Sequence, residues 1–461
     1  MPYISGKYYP LRRLIFFLTE GCLIFLALVL MQRIFLGSVL FDDGALTCFL
    51  RAALVTVVFQ LSLYFFDLYD LNVYSSFTDT ATGMTQAFGF GCIALAGVYY
   101  LFPEVIIPQT VFWAGYVLIC SALASWRFFY VFALGRRFFA QPIVILGTGD
   151  LAAEITHEVI EHLDSGYKIV AFVGLEEPVF NTHRVPIYPN RERSIAEICR
   201  EHKAEMVVVA LEDRRGTMPV KELIDCKLDG VEIAKGIGFL EELTGRLMVE
   251  KVNPSWIIFS PGFTIGRINH FFKRFFDILL SAFGLLLASP LMVVSALIVK
   301  LESPGPIFYC QERVGAHGAS FWIIKFRSMG QDAEKNGAVW ASKNDSRVTR
   351  FGGFMRKVRI DELPQLWNVL KGEMSFVGPR PERPIFVKEL ERKIPYYSLR
   401  HSIKPGVTGW AQICYPYGAS EEDALRKLEY DLYYLKNLSV AMDLWIVFQT
   451  VKTVLFQKGS R

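Results

Sequence analysis

The sequence predicts a membrane-anchored α/β protein in three parts. These are an N-terminal four-helix transmembrane bundle over 1–138, a Rossmann-like middle domain over 139–263, and a C-terminal α+β domain over 264–461 with a re-entrant membrane helix at about 272–300. Three observations predict this. First, the 461 residues are 52% hydrophobic with a mean hydropathy of +0.31, too apolar for an ordinary soluble chain, so the long apolar runs read as membrane segments. Second, a short apolar strand pattern, Ile143-Val-Ile-Leu146, leads into a glycine-rich turn and a helix-like stretch. Third, a further long apolar run at 275–299 is followed at 301–420 by short strand patterns, turns and basic motifs.

The charge balance narrows the partners. Net charge is +4 and pI about 8.5, an excess that anionic lipid and phosphate account for without nucleic acid. Eight cysteines are scattered with no CxxC pair, so neither a disulfide framework nor a zinc site is indicated.

Residues 1–10 are polar, and no small-residue cleavage site follows the first apolar run, which reads as an uncleaved anchor. Four apolar runs lie at 13–36, 46–66, 84–102 and 109–134, each near the roughly 20 residues that span a bilayer. Arg12 and Arg13 precede the first, Asp42 and Asp43 follow it, and Arg136 and Arg137 follow the fourth. Basic flanks stay in the cytoplasm, which places both ends of the bundle there and requires an even number of spans. The loop at 67–83 lacks basic residues and carries no such signal.

In the middle domain, Gly147, Gly149 and Ala152 form a GxGxxA turn after a strand, the setting in which a dinucleotide fingerprint has meaning. Strands are expected at 168–173 and 206–211, with a helix at 195–202 between them. A glycine-rich βα turn also serves plain packing, so the turn alone leaves ligand binding open.

In the run 275–299, Pro290 removes a helical hydrogen bond, and Ser289-Pro290 is the expected break. Lys273 and Arg274 flank one end and Lys300 the other, so both ends read as cytoplasmic and the helix as re-entrant. A kinked fifth span is the competing reading. Further on, 421–437 has the pattern of an amphipathic helix. The apolar 443–456, with Trp445 and Lys452, is short for a span and reads as an interfacial helix, with a buried core helix as the alternative.

The centre of the chain's chemistry lies at Arg356-Lys-Val-Arg-Ile-Asp361-Glu362-Leu-Pro364-Gln, followed by Gly378-Pro-Arg380-Pro381. Leu363, Leu366, Trp367 and Leu370 share one helical face, Pro364 suits a first turn and Gly372 a stop. Asp361 and Glu362 therefore fall at a helix N-terminus. Neighbours on a helix do not share a face, so two carboxylates converge there only if the backbone leaves helical geometry. An Asp-Glu pair of this kind is ordinarily a cap. Here Arg347, Arg350, Arg356, Lys357 and Arg359 precede it and Arg380 and Arg383 follow, which suggests a metal and a polyphosphate.

These motifs resemble the bacterial sugar transferases known as monotopic phosphoglycosyl transferases. The resemblance covers about 269 to the C-terminus. It rests on Lys273-Arg274-Phe-Phe-Asp277, Ser289-Pro290, Gln311-Glu-Arg313-Val-Gly315, Lys325-Phe-Arg327-Ser-Met329, Asp345-Ser-Arg347-Val-Thr349, Asp361-Glu362-Leu-Pro-Gln, Gly378-Pro-Arg-Pro381 and Lys404-Pro-Gly-Val-Thr408-Gly-Trp410. The upstream half looks like the long members used in exopolysaccharide synthesis, and the run from Pro254 to Phe263 is similar to the subset linked to PEP-CTERM loci.

The resemblance implies transfer of hexose-1-phosphate from a UDP-sugar to undecaprenyl phosphate with release of UMP, on the cytoplasmic face of the bacterial inner membrane. It implies Asp361 as nucleophile, forming a phosphosugar-aspartyl intermediate, and Glu362, beside Asp361, as ligand to Mg²⁺. Lys325, Arg327, Arg356 and Arg380, with Arg313 and Lys404, are the expected phosphate-binding groups. Membrane lipid and a second copy of the chain are further expected partners. Two other classes stand beside this one. A nucleotide-sugar dehydratase or epimerase needs Tyr-x-x-x-Lys, yet Ala171 and Glu192 stand four residues after Tyr167 and Tyr188. A non-catalytic membrane scaffold would tolerate loss of Asp361.

Overall fold

The computed structural model describes residues 3–4, 7–8, 11–37, 45–69, 77–135, 140–161, 165–174, 180, 182, 185–189, 193–211, 218–251, 262–263, 266–330, 347–416, 418 and 420–455. Asp42, Asp43, Arg136, Arg137, Asp345 and most of the run 254–263 lie outside them. The chain divides into two compact units, Tyr8–Phe239 and Leu240–Arg461, the latter taking in Tyr3–Lys7.

The first unit opens with four helices: α1 (Leu11–Leu36), α2 (Ala45–Phe65), α3 (Phe77–Leu101) and α4 (Gln109–Gly135). α1 packs on α2 and α4, and α2 on α3. Ile24, Leu28, Phe59, Leu63, Leu95 and Ile119 fill their shared core, while Leu18, Leu50, Ile93 and Val117 stay exposed. A helix that is apolar both inward and outward belongs in lipid or in a large core, and all four are long and apolar enough to cross a membrane. α3 starts seven residues before its apolar run because the polar stretch 77–83 is helical too. One polar tie runs through the core: Arg127 donates to Glu20 at 2.8 Å and to the Leu68 carbonyl at 2.7 Å, with both side chains buried.

The rest of this unit is a parallel sheet: β1 (Gln141–Leu146), α5 (Asp150–Glu161), β2 (Tyr167–Gly174), β3 (Ile187–Pro189), α6 (Ile195–Glu201), β4 (Met206–Val209), α7 (Val220–Leu228) and β5 (Glu232–Lys235). The order is β3-β2-β1-β4-β5, all pairs parallel, which is the Rossmann strand order through its fifth strand. Val144, Leu146, Val173 and Val207 form its core with α6 and α7. Gly147 has φ +128°, and a Cβ there would lie 2.5 Å from the Ala210 carbonyl oxygen. Ala152 is fully buried on α5. Packing alone therefore accounts for the small residues at Gly147 and Ala152.

The second unit begins with α8, Gly236–Thr244, of which it holds the end from Leu240. This start lies upstream of the boundary that the sequence suggests at 264. The Trp410 indole donates to the Gly245 carbonyl at 2.8 Å, and Lys436 donates to Glu241 at 2.7 Å. Leu247 and Val249 are buried against Tyr397, Leu428 and Leu432. These contacts are non-local, so no local pattern announces them.

α9, Arg267–Glu302, is one continuous helix with Pro290 inside it. The expected break at Ser289-Pro290 does not end the helix. Pro290 leaves the Leu286 carbonyl without its helical N–H, and the Ser289 hydroxyl donates to that carbonyl at 2.8 Å instead. α9 hides polar residues and shows apolar ones. Lys273, Asp277, Ser281 and Ser295 are buried, while Phe275, Phe283, Leu287 and Leu297 are exposed. The Lys273-Arg274…Asp277 motif docks the helix. Lys273 donates to the Val377 carbonyl and to Asp443, Arg274 to the carbonyls of Val369 and Leu370, and Asp277 accepts from Ser375 Oγ and Phe376 N–H.

Beyond α9 come an antiparallel hairpin, β6 (Phe308–Val314) and β7 (Ser320–Phe326), then α10 (Arg350–Lys357), α11 (Gln365–Lys371), β8 (Ser375–Val377), α12 (Pro384–Lys393), β9 (Gly406–Thr408), α13 (Trp410–Cys414), α14 (Glu421–Lys436) and α15 (Val440–Leu455). α14 is the amphipathic helix expected at 421–437. α15 buries Met442 and Ile446 in the core and leaves Leu444 and Val451 exposed, so it carries a core face and an apolar outer one.

Candidate active site

The turn that carries Asp361 and Glu362 is built from its flanks. Thr349 caps α10 by accepting the Gly352 N–H at 3.0 Å. After Val358 the chain enters the left-handed region at Arg359, φ 57°, a conformation that non-glycine residues adopt only where the surroundings hold them. A 3₁₀ turn, Ile360–Glu362, follows. Ile360 is pinned with Val299, Phe326 and Met355. α11 then runs to Gly372, left-handed at φ 89°, the stop the sequence suggests. The carboxylates thus precede α11 in a turn of their own. Leu366 faces inward, whereas Trp367 is exposed. α11 is locked to the hairpin by Asn368, which is fully buried, donates to the Trp322 carbonyl at 2.8 Å and accepts the Ile324 N–H at 3.1 Å.

Asp361 and Glu362 are each 8% exposed, yet their surroundings differ. Glu362 meets Arg380 at 2.9 Å, Lys325 at 3.1 Å and Arg359 at 3.4 Å. Burial opposes its ionisation, but these cations outweigh burial and hold it well below the usual carboxylate range. Asp361 accepts no hydrogen bond among the described residues. Burial, and then the Glu362 charge, push its pKa up to about 6 against the pull of Lys325, Arg356 and Arg380.

Asp361 lies on the wall of a cavity of about 410 Å³ with Arg313, Lys325, Arg356 and Arg380. Arg356 has no hydrogen-bond partner among the described residues and adds to the field on Asp361. Arg313 is tied to the Pro381 carbonyl at 3.1 Å and to Gln311 at 2.6 Å. Two expected phosphate contacts have other surroundings. Arg327 lines the cavity, but its terminal nitrogens donate to the carbonyls of Val299, Ser303 and Pro304, so it caps the end of α9. Lys404 is not on the cavity wall; it lies beside Gly372 at the end of α11.

The motifs around Gly378 and Gly406 position Arg380. β8 and β9 pair in parallel, and a Cβ on Gly406 would stand 2.1 Å from the Gly378 nitrogen. Only glycines permit that approach. Arg400 extends the wall away from the dyad. It donates to Tyr397 Oη at 2.6 Å and to the Arg380 carbonyl at 3.0 Å, and pairs with buried Asp431 at 2.8 Å. Gln412 Nε2, Arg400 Nε and Arg313 Nε are buried without hydrogen-bond partners among the described residues, all in residues lining this cavity. Donors left open in one chamber favour a ligand rich in acceptor oxygens. Sequence reasoning missed Arg400, Gln412, Lys427 and Asp431, all of which line this cavity. Their segments read only as amphipathic or irregular, and no local signal marks them.

A family model described as bacterial sugar transferase matches residues 268–457. The chain is 46% identical over 224 residues to a UDP-N-acetylgalactosamine-undecaprenyl-phosphate N-acetylgalactosaminephosphotransferase of Aeromonas hydrophila, covering 48% of this chain and 52% of that one; the match thus spans about half of that relative. It is 28% identical over 437 residues to an undecaprenyl-phosphate glucose phosphotransferase of Komagataeibacter xylinus, covering 83% of this chain and 80% of the relative. It is 41% identical to an exopolysaccharide production protein, PSS, of Rhizobium leguminosarum bv. phaseoli, over 40% of this chain and 94% of that protein. The motifs and the dyad in its basic cavity lie within the stretch that the family model matches, and the chain belongs to the bacterial sugar transferase family of phosphoglycosyl transferases.

Proposed function

We propose that this chain moves a sugar 1-phosphate from a UDP-sugar to undecaprenyl phosphate, releases UMP, and performs the first membrane step of exopolysaccharide biosynthesis. The observation that carries the reading is the asymmetry of the dyad: a carboxylate with no hydrogen-bond partner among the described residues beside one clamped by three cations, on a cavity lined with arginines. An oxygen of Asp361 attacks the phosphorus that bears the sugar. A P–O bond to Asp361 forms, the bridging P–O bond breaks, and UMP leaves with the bond's electron pair. A phosphate oxygen of the lipid acceptor then attacks the same phosphorus and frees Asp361. Arg356 and Arg380 offset the charge of the diphosphate as Asp361 approaches it. The cavity wall at Gln412 and Arg400 receives an oxygen-rich organic end of the donor.

The residues present fit a Mg²⁺ ion that arrives with the diphosphate. Mg²⁺ needs few protein ligands because it keeps water and takes phosphate oxygens; Asp361, on the cavity wall, would supply one carboxylate, and Glu362 a second on exchanging one of the cations that hold it. Bound there, it would supply charge neutralisation at the phosphates.

α9 reads as a re-entrant membrane helix with the catalytic unit on the cytoplasmic face of the inner membrane. Both of its ends are tied to that unit, by Lys273 and Asp277 at one end and by Arg327 at the other. Cysteines placed singly at 269 and 303 should both react only from the cytoplasm; external labelling at 303 would make α9 a full span. The chemistry is tested with UDP-sugars labelled in the sugar phosphate, without lipid. Label should become covalently attached to the wild type and be absent from a folded Asp361→Asn variant. Equal labelling of that variant would remove Asp361 from its role.

A further inference from the structure

Lys404, one of the cations of the sequence motifs, does not line the cavity that holds Asp361. It is half-buried and makes no hydrogen bond among the described residues. A Cβ placed on Gly372 would lie 3.4 Å from its Nζ and 3.4 Å from a terminal nitrogen of Arg274. The two cations thus lie together at the end of α11. The guanidinium of Arg274 is fixed by the Val369 and Leu370 carbonyls, at 2.7 and 2.8 Å. The neighbouring carboxylate, Asp277, already accepts from Ser375 Oγ and Phe376 N–H. Burial and then Arg274 lower the pKa of Lys404, against Asp277. Exposed Lys371 precedes Gly372. On α9, Phe271, one turn before Arg274, and Phe275, next to it in the chain, are 68% and 52% exposed, where the helix begins its apolar outer face. A half-buried lysine beside a fixed arginine, at the edge of an apolar surface, stands where lipid headgroups lie.

We propose that Lys404, with Arg274 and Lys371, forms a binding site for the phosphate of an anionic phospholipid headgroup, separate from the cavity that holds Asp361. The lipid's acyl chains lie along the aromatic start of α9, and its phosphate sits between Lys404 and Arg274. This rests on the reading that the outer face of α9 lies in lipid, and it does not depend on sugar transfer.

The full chain is reconstituted in nanodiscs of phosphatidylcholine with a minor share of spin-labelled phosphatidylglycerol. The fraction of immobilised labelled lipid is read by electron paramagnetic resonance. Lys404→Gln should weaken retention roughly fivefold, as expected for one lysine at an anionic surface, and Lys404→Arg should restore it. Lys300→Gln, at the other end of α9, should leave it unchanged. Equal retention by Lys404→Gln and wild type overturns the site. An equal loss in Lys300→Gln reduces it to general surface charge, which also overturns it. Displacement of the labelled lipid by inorganic phosphate would make it a soluble-anion site and overturn the lipid assignment. Each readout is lipid retention, so failure here is distinct from failure of Asp361 to take up label.

Discussion

Two turns in this molecule carry sequence motifs for phosphate chemistry, and they differ in what surrounds them. At the Gly147 turn the glycine is required by protein. Its amide donates to the Val173 carbonyl at 2.7 Å, a Cβ would strike the Ala210 carbonyl, and α5 opens with Asp150, an acidic residue where an anion would dock. At the Asp361 turn the unusual backbone, a left-handed Arg359, delivers one carboxylate to three cations and leaves its neighbour on a cavity wall. A motif residue that packing fully explains says little about a ligand. A buried charge that packing does not explain says much.

The comparison breaks or sharpens with three substitutions. The largest effect belongs to Asp361→Asn. Turnover, measured as UMP release with undecaprenyl phosphate supplied, should fall by about 10³-fold or more, since a missing nucleophile has no substitute, while the thermal midpoint stays near that of the wild type. A variant that retains turnover would make the Asp361 turn no more chemical than the Gly147 turn.

Lys325→Met comes next. It leaves Glu362 buried with a cation removed, which should cost about 3 kcal/mol of stability, read as a lower denaturation midpoint. The Lys325→Met, Glu362→Gln double variant should recover part of that loss. If the losses simply add, the clamp is not a coupled unit.

The smallest effect is that of Gly147→Ala. A Cβ at positive φ against a carbonyl should cost about 2 kcal/mol, with sugar transfer retained in the folded fraction. If transfer is lost while the fold is kept, the turn holds something that the reaction needs.

The sequence by itself determined the local elements. The apolar runs gave α1 to α4 and α9, the β–turn–α pattern at 143–152 gave the parallel sheet, and Gly372 gave the stop of α11. These are local signals: hydrophobic period, run length, and residues suited to one backbone conformation. The density of Arg and Lys around Asp361 was also legible in one dimension.

Tertiary structure decided which of those cations matter and how. It turned Arg327 onto the end of α9 and put Lys404 beside Arg274, away from the cavity. It brought Arg400 and Asp431 from distant helices to the cavity wall, and it drew Leu247 and Val249 into the catalytic core from upstream of the expected boundary. Even Lys273-Arg274…Asp277, which reads as a charged flank, is an anchor whose partners lie about a hundred residues or more away. The reason is physical. A charge in the sequence states only that a partner is needed once it is buried, and the identity of the partner is set by which backbones the packing brings within hydrogen-bond reach.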